Sequence, residues 1–326
     1  MPELRQDLIS GDWVLVAPGR SKRPDQFIKK KPKRHPAPKS VCPFEDLRKS
    51  GNWPPIVAYP NVEHWEVVLL PNKFPALMHG PVCAVSFRDG IYKAKTGIGS
   101  HNLLITRDHH KNFAELNSKL AVKVLTMLQA WHREAAKDKC IAYTSSFFNW
   151  GPTAGASVWH PHYQILSLPI IPPHTAKSLH GAERYFKKHK RCGRCDVVKE
   201  EQKQKKRIVG ENARAIAVVP YAAKHPFEVS ILPKKHQANF WKTSPAEIRD
   251  VALLLQSVLR KMKKNLHDPD LNFFIHDVPT DHGQYDYHHW HVEVVPKIST
   301  EAGFELSTGI DINVVEPEMA AKILRE

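Results

Sequence analysis

Apolar positions along the chain fall into short runs divided by polar, turn-forming stretches, and one series of runs occurs twice. The segment "LLITRDHHKNF" (Leu103 to Phe113) is an apolar, β-prone run that ends in a histidine and leads to a helix; "VSILPKKHQANF" (Val229 to Phe240) repeats it. His109 therefore corresponds to His236, and Asn112 and Phe113 to Asn239 and Phe240. After the first run, Phe113, Leu116, Leu120, Val124, Met127 and Trp131 recur at spacings of three and four, which predicts one buried helical face. After the second, Ser244 is placed as a helix N-cap, Pro245 as the first helical residue and Glu247 as the capping-box partner. Ile248, Val251, Leu255, Val258 and Met262 then form the apolar stripe. Each helix leads to another strand, "IAYTSSFF" or "LNFFIH", then to a turn-rich loop and a strand bearing H-x-H.

The two H-x-H pairs are His160 with His162 and His289 with His291; 51 residues separate His109 from His160, and 53 separate His236 from His289. This predicts an α+β protein made of two copies of one unit, each an antiparallel sheet with a crossing helix. Residues 1–176 and 177–326 are the expected halves, joined through the polar stretch from about His174 to Lys190.

Each half also opens on a cysteine motif, "CPFE" (Cys42 to Glu45) and "CGRC" (Cys192 to Cys195). With the repeat-equivalent histidines these make two candidate metal sets. Cys192, Cys195, His236 and His289 offer two thiolates and two imidazoles, a donor set suited to tetrahedral zinc. Cys42, Glu45, His109 and His160 form the other set, with a carboxylate where a second thiol is expected. His110 competes with His109, but the repeat aligns it with Gln237.

In "WHPHYQ" (Trp159 to Gln164) a strand would point His160, His162 and Gln164 to one surface. With His160 on a metal, His162 is left as a neutral imidazole able to attack the α-phosphorus of a nucleotide, dividing one displacement into two. Gln164 can donate to a phosphoryl oxygen without readily protonating a leaving group or activating water, so transfer is expected over hydrolysis. The corresponding residue of the second copy is Glu293, whose charge would repel a phosphate. One active site per chain is expected.

Composition narrows the field. The formal charge of +15 gathers in Lys29 to Lys39, Lys187 to Arg194 and Lys203 to Arg207, a field that attracts nucleotides. No aromatic-plus-basic RNA motif or zinc-finger array accompanies these runs, so nucleic acid is not an expected partner. No apolar run is long enough to span a bilayer, and "MPELRQDLISGDW" has no signal-like core, so a cytoplasmic location is expected. Five cysteines, at 42, 83, 140, 192 and 195, are odd in number and unevenly spaced, which points to thiols or metal ligands and away from a disulfide framework.

Together "GDWVLVAPGRSKRP", "PNKFPALMHG", "RDHHKNFAEL" and "NWGPTAGASVWHPHYQ" resemble the galactose-1-phosphate uridylyltransferase family of the histidine-triad superfamily. The resemblance implies that His162 carries a uridylyl group and that Gln164 holds the phosphoryl oxygens. It implies nucleotide contacts from Arg20, Arg23, Asn72, Asn149 and Ser157, and metal ligands at Cys42, His109 and His160. A nucleotide sugar and a sugar 1-phosphate would be the substrates, in ping-pong exchange between UDP-glucose and galactose 1-phosphate, and the chain would pair as a homodimer. Two departures stand out: Glu45 replaces a cysteine, and Lys73 stands where an aspartate often follows the asparagine. The "AGAS-x-x-H-x-H-x-Q" form and the complete second C-x-x-C set are similar to the ADP-glucose phosphorylase branch, which moves an adenylyl group to phosphate. A nucleotide hydrolase and a noncatalytic nucleotide- or RNA-binding protein are the remaining alternatives.

Overall fold

A computed structural model describes residues 1–20, 36–281 and 283–326. At the N-terminus β1 (Glu3–Gln6) and β2 (Trp13–Val16) pair antiparallel. The first half continues with β3 (Val57–Tyr59), β4 (Val67–Pro71), an outlying hairpin of β5 (Ser86–Asp89) and β6 (Tyr92–Lys95), then β7 (Ser100–Thr106). Helix α1 (Ser118–Ala135) crosses to β8 (Tyr143–Trp150) and β9 (His162–Leu168). Two helices follow, α2 (Pro173–His189) and α3 (Gly193–Gln204). The second half runs β10 (Ile208–Glu211), β11 (Ala215–Val218), β12 (Val229–Pro233), α4 (Pro245–Asn265), β13 (Leu271–His276) and β14 (His291–Pro296). After α5 (Gly303–Thr308), β15 (Asp311–Asn313) lies parallel to β2, and α6 (Pro317–Arg325) closes the chain.

The large sheet has ten strands in the order β10-β11-β12-β14-β13-β8-β9-β7-β4-β3. Read outward from the middle, each half gives the same sequence of roles, so the repeat is a pseudo-twofold whose axis passes between β8 and β13. Phe148 lies opposite Phe273 across that seam, and with Phe113 and Tyr163 they form one aromatic cluster with centroids 4.9 to 6.2 Å apart. One apolar core thus spans both halves beneath α1 and α4.

A buried hydrogen-bond network crosses the same seam. His132 on α1 places Nδ1 3.0 Å from Asp277 Oδ2 and Nε2 2.8 Å from Ser146 Oγ, while Asp277 Oδ1 accepts from the Phe240 and Val278 amides. The order Ser–His–Asp matches a hydrolase triad, but each side chain is about 1% exposed and no substrate can reach it. Its function is to satisfy buried polar groups.

Helix α4 has the expected start. Ser244 Oγ accepts from the Glu247 amide and Glu247 returns a bond to Ser244, and all five stripe residues are buried. The first helix starts later than its stripe predicts. Asn117 caps it, accepting from the Leu120 amide, so Phe113 and Leu116 fill the core from the preceding turn.

The polar junction from about His174 to Lys190 folds mostly as α2, with Leu179, Gly181 and Ala182 on its buried face. One expectation is corrected. Among the cysteines, Cys83 and Cys140 form a disulfide that ties the segment before β5 to the turn after α1. Among the described residues, no helix is long and apolar enough to cross a membrane.

Candidate active site and metal centres

Pro161 decides how "WHPHYQ" folds. Lacking an N–H, it cannot join a ladder, so strand pairing begins at His162, opposite Ile105. His160 stays outside the strand and is wholly buried, turned toward Cys42. The row of three residues expected on one surface is therefore a row of two, His162 and Gln164, with His160 diverted to the metal set.

That set is assembled. The donor atoms of Cys42, Glu45, His109 and His160 all lie within 4.8 Å of one another. Glu45 Oε1 is 2.9 Å from His109 Nδ1 and 3.5 Å from His160 Nδ1, and Cys42 Sγ is 3.6 Å from His160 Nδ1. Both rings are fixed from behind: His109 Nε2 donates to the Ala37 carbonyl at 2.9 Å and His160 Nε2 to the Thr106 carbonyl at 2.7 Å. A carbonyl only accepts, so each Nδ1 turns a lone pair into the cluster. Glu45 Oε1 and His109 Nδ1 are buried and neither completes a hydrogen bond, an arrangement that a cation between them satisfies. His110 is outside the set and accepts from Trp159 Nε1.

The second set is assembled as well, with donor atoms of Cys192, Cys195, His236 and His289 within the same 4.8 Å. Cys195 Sγ is 3.3 Å from His236 Nδ1 and 3.5 Å from His289 Nδ1. The hydrogen bond from Cys195 and those from the two imidazoles hold the Cys192 thiol far below its ordinary range, against the desolvation of burial. Both donor sets fit a tetrahedral thiophilic cation.

His162 is walled by Phe44, whose ring meets it edge-on at 5.4 Å. Its Nδ1 lies 2.9 Å from the His160 carbonyl. Nδ1 therefore carries the hydrogen, and Nε2 keeps its lone pair. Burial pushes its pKa below the ordinary imidazole value, opposed by the bond to His160 and helped by nearby His101, so the ring is neutral at physiological pH.

Gln164 lies opposite Phe147, and Asn149, two residues further along β8, follows on the same face at the level of His162. Asn149 Oδ1 accepts from Asn272 Nδ2 at 2.8 Å, and the same amide donates to the Ala154 carbonyl. Asn72 joins through His101: its Nδ2 lies 3.1 Å from His101 Nε2, which is itself 3.1 Å from Gln164 Oε1. His101 is the residue that sequence reasoning missed. The signal was the strand period, because His101, Leu103 and Ile105 alternate onto the face of β7 that adjoins His162 and Gln164.

The loop between β8 and His160 is pinned by the other half of the chain. Asp270 accepts from the Thr153 amide at 2.8 Å and from its hydroxyl at 2.5 Å. Gly151 has φ of +85°, and a Cβ there would meet Asp270 Oδ1 at 2.1 Å. Gly151→Ala is therefore expected to cost about 1–3 kcal/mol and to weaken nucleotide binding, read by thermal melting and donor titration. Unchanged melting and affinity would count against the pinning.

The remaining sequence candidates have the following surroundings. Ser157 is exposed on this loop. Arg20, in the turn Pro18–Arg20, is near enough to Glu305 to help lower that carboxyl, and no described contact joins it to His162 or Gln164. Arg23 lies outside the described residues. Lys73 donates to the Ser50 carbonyl.

A cleft of about 1480 Å³ runs from Asn149 across the second half and reaches His276, His291 and Glu293 without including His162. In this second copy the His291 ring stacks on His276 at 4.4 Å, and His276 Nε2 bonds Glu293 at 2.9 Å. His291 thus has a stacked imidazole and a carboxylate beside it, where His162 has Phe44 and Gln164.

Comparison with known proteins identifies the family. The family described as "Galactose-1-phosphate uridyl transferase, N-terminal domain" matches residues 1–172, and one described as "Domain of unknown function (DUF4921)" matches residues 91–326. The chain belongs to the galactose-1-phosphate uridylyltransferase family, and it is a nucleotidyltransferase of that family. It is 34% identical to the ADP-glucose phosphorylase of Arabidopsis thaliana, across 100% of this chain and 93% of that protein. It is 27% identical to the galactose-1-phosphate uridylyltransferase of Thermotoga maritima, across 100% of this chain and 98% of that one. Among solved structures, the Arabidopsis thaliana phosphorylase with bound ADP-glucose superposes with a TM-score of 0.85 at 29% identity, covering 100% of this chain and 99% of the other.

Proposed function

We propose that the chain transfers an adenylyl group from ADP-glucose to inorganic phosphate through a covalent intermediate on His162. What carries the reading is the bare Nε2 of a neutral, Phe44-walled imidazole whose Nδ1–H is committed to the His160 carbonyl. Nε2 attacks the α-phosphorus, the N–P bond forms, and the bond from that phosphorus to the bridging oxygen breaks, so that glucose 1-phosphate leaves. The adenylylated ring is cationic, and the His160 carbonyl accepting from Nδ1–H steadies that charge. A phosphate oxygen then attacks the same phosphorus, the N–P bond breaks and ADP departs. Gln164 donates to a nonbridging oxygen in both steps, and Asn149 and Asn72 orient the nucleotide.

Zinc is the proposed occupant of both donor sets, held by Cys42, Glu45, His109 and His160 and by Cys192, Cys195, His236 and His289. Bound there, it supplies a rigid cross-link rather than a reacting group.

The adenylyl reading is preferred because the Arabidopsis thaliana phosphorylase shares more identity over the whole chain than the Thermotoga maritima uridylyltransferase, and because Lys73 departs from the uridylyltransferase pattern. Uridylyl exchange between UDP-glucose and galactose 1-phosphate is the second reading, favoured by the match of residues 1–172. Intact-protein mass after mixing with each donor, without acceptor, separates them. An adenylyl adduct that phosphate removes is the expected result. A uridylyl adduct removed by galactose 1-phosphate, with none from ADP-glucose, would replace the first reading with the second.

A further inference from the structure

The side-chain amide of Gln164 has two ends of equal size and opposite polarity, and only its nitrogen can donate to a phosphoryl oxygen. Turned the other way, its carbonyl dipole would face the same negative charge. Nothing in the amide itself selects between these orientations.

The selection comes from a chain of bonds that starts at the backbone. The Ala76 amide N–H points at His101 Nδ1 from 3.1 Å, and a backbone amide cannot turn its hydrogen away. Nδ1 must therefore accept, and in a neutral ring the hydrogen then sits on Nε2. Burial lowers the His101 pKa, against the bond to Gln164, which keeps the ring neutral. Nε2 lies 3.1 Å from Gln164 Oε1, the atom able to receive that hydrogen. Asn72 Oδ1 accepts from the Phe74 amide, and its Nδ2 sits 3.1 and 3.4 Å from the two ring nitrogens, straddling the ring. The Asn72 NH2 group only donates, so it makes no bond to a protonated Nε2 and rests against the ring, and the Ala76 amide decides the tautomer. The second copy keeps H-x-H but has Glu293 for Gln164, and its histidine partner is His276, from β13. The His101 arrangement belongs to the half that carries the proposed nucleophile.

We propose that His101 is a positioning residue: held by the Ala76 amide, its Nε2–H fixes the amide of Gln164 so that the NH2 group faces the phosphoryl centre at His162. This rests on the reading of His162 as the nucleotidyl carrier.

The test is a double-mutant cycle on the rate of adduct formation in single turnover, with ADP-glucose as donor. His101→Leu should slow the step roughly tenfold or more. His101→Gln should recover most of the rate, because one amide can accept from Ala76 and donate to Gln164. In a Gln164→Ala background, His101→Leu should cost almost nothing further, since the group it positions is gone. A full loss in that background would mean a merely structural role and would overturn the proposal, as would an unchanged rate in His101→Leu alone. Absence of any adduct from the unaltered protein would instead overturn the His162 reading. The proposal is then judged by nitrogen NMR of the His101 ring, which should show Nε2 protonated and Nδ1 bare. The opposite tautomer overturns it whatever the donor does, and the same spectrum decides should His101→Leu fail to fold.

Discussion

Replacing His162 by asparagine is expected to abolish adduct formation and to reduce turnover by roughly 10⁴-fold or more, because the covalent path loses its nucleophile entirely. Asparagine is the informative substitute. Its amide nitrogen can still donate to the His160 carbonyl, the bond that His162 Nδ1 now makes at 2.9 Å, and it leaves the Phe44 wall and strand pairing in place. The melting temperature should therefore stay close to that of the unaltered protein while the adduct vanishes from the mass spectrum. Appreciable transferase activity in a folded His162→Asn protein would remove His162 from the mechanism. The parallel change His291→Asn should leave the adduct intact, since His291 is stacked against His276 and the Glu293 carboxylate beside it repels a phosphate. An adduct on His291 would mean two active sites per chain.

What could be read without coordinates was mostly local or repeated. The cap of α4 was legible because Ser244, Pro245 and Glu247 act within one turn of one another. The two metal sets were legible because the repeat names the same positions twice, although the chain distances within each set are long. The joining of both halves into one sheet was not legible, because the pairing of β8 with β13 depends on side chains more than 100 positions apart and leaves no local mark. The same holds for Cys83 and Cys140, which are separated by 57 residues and lie outside the repeat. The strand period misled at His160, where Pro161 delays the ladder by two residues. It would have found His101, had the face of β7 been read alongside that of β9. Arg20 was carried by resemblance alone, with no local pattern of its own to mark it.

The two metal sets should separate function from stability. Cys192 begins α3 as its N-cap residue, His236 lies beyond β12, and His289 precedes β14, so a metal there staples three elements of the second half. Ligand binding that exists only in the folded state adds directly to folding free energy. Cys192→Ser is thus expected to lower bound zinc by one equivalent and to destabilise the chain by more than about 3 kcal/mol, with melting lowered by several degrees. Single-turnover chemistry of the surviving folded fraction should change little, because none of these ligands adjoins His162. Cys42→Ser should behave differently. Cys42 is two residues from Phe44, which walls His162, and its partner His160 supplies the carbonyl that holds Nδ1. Loss of that metal should therefore slow adduct formation as well as reduce zinc. Equal effects of the two substitutions on the chemical step would show that the second set is not purely a staple, and unchanged zinc and melting in Cys192→Ser would sink its assignment as a metal centre.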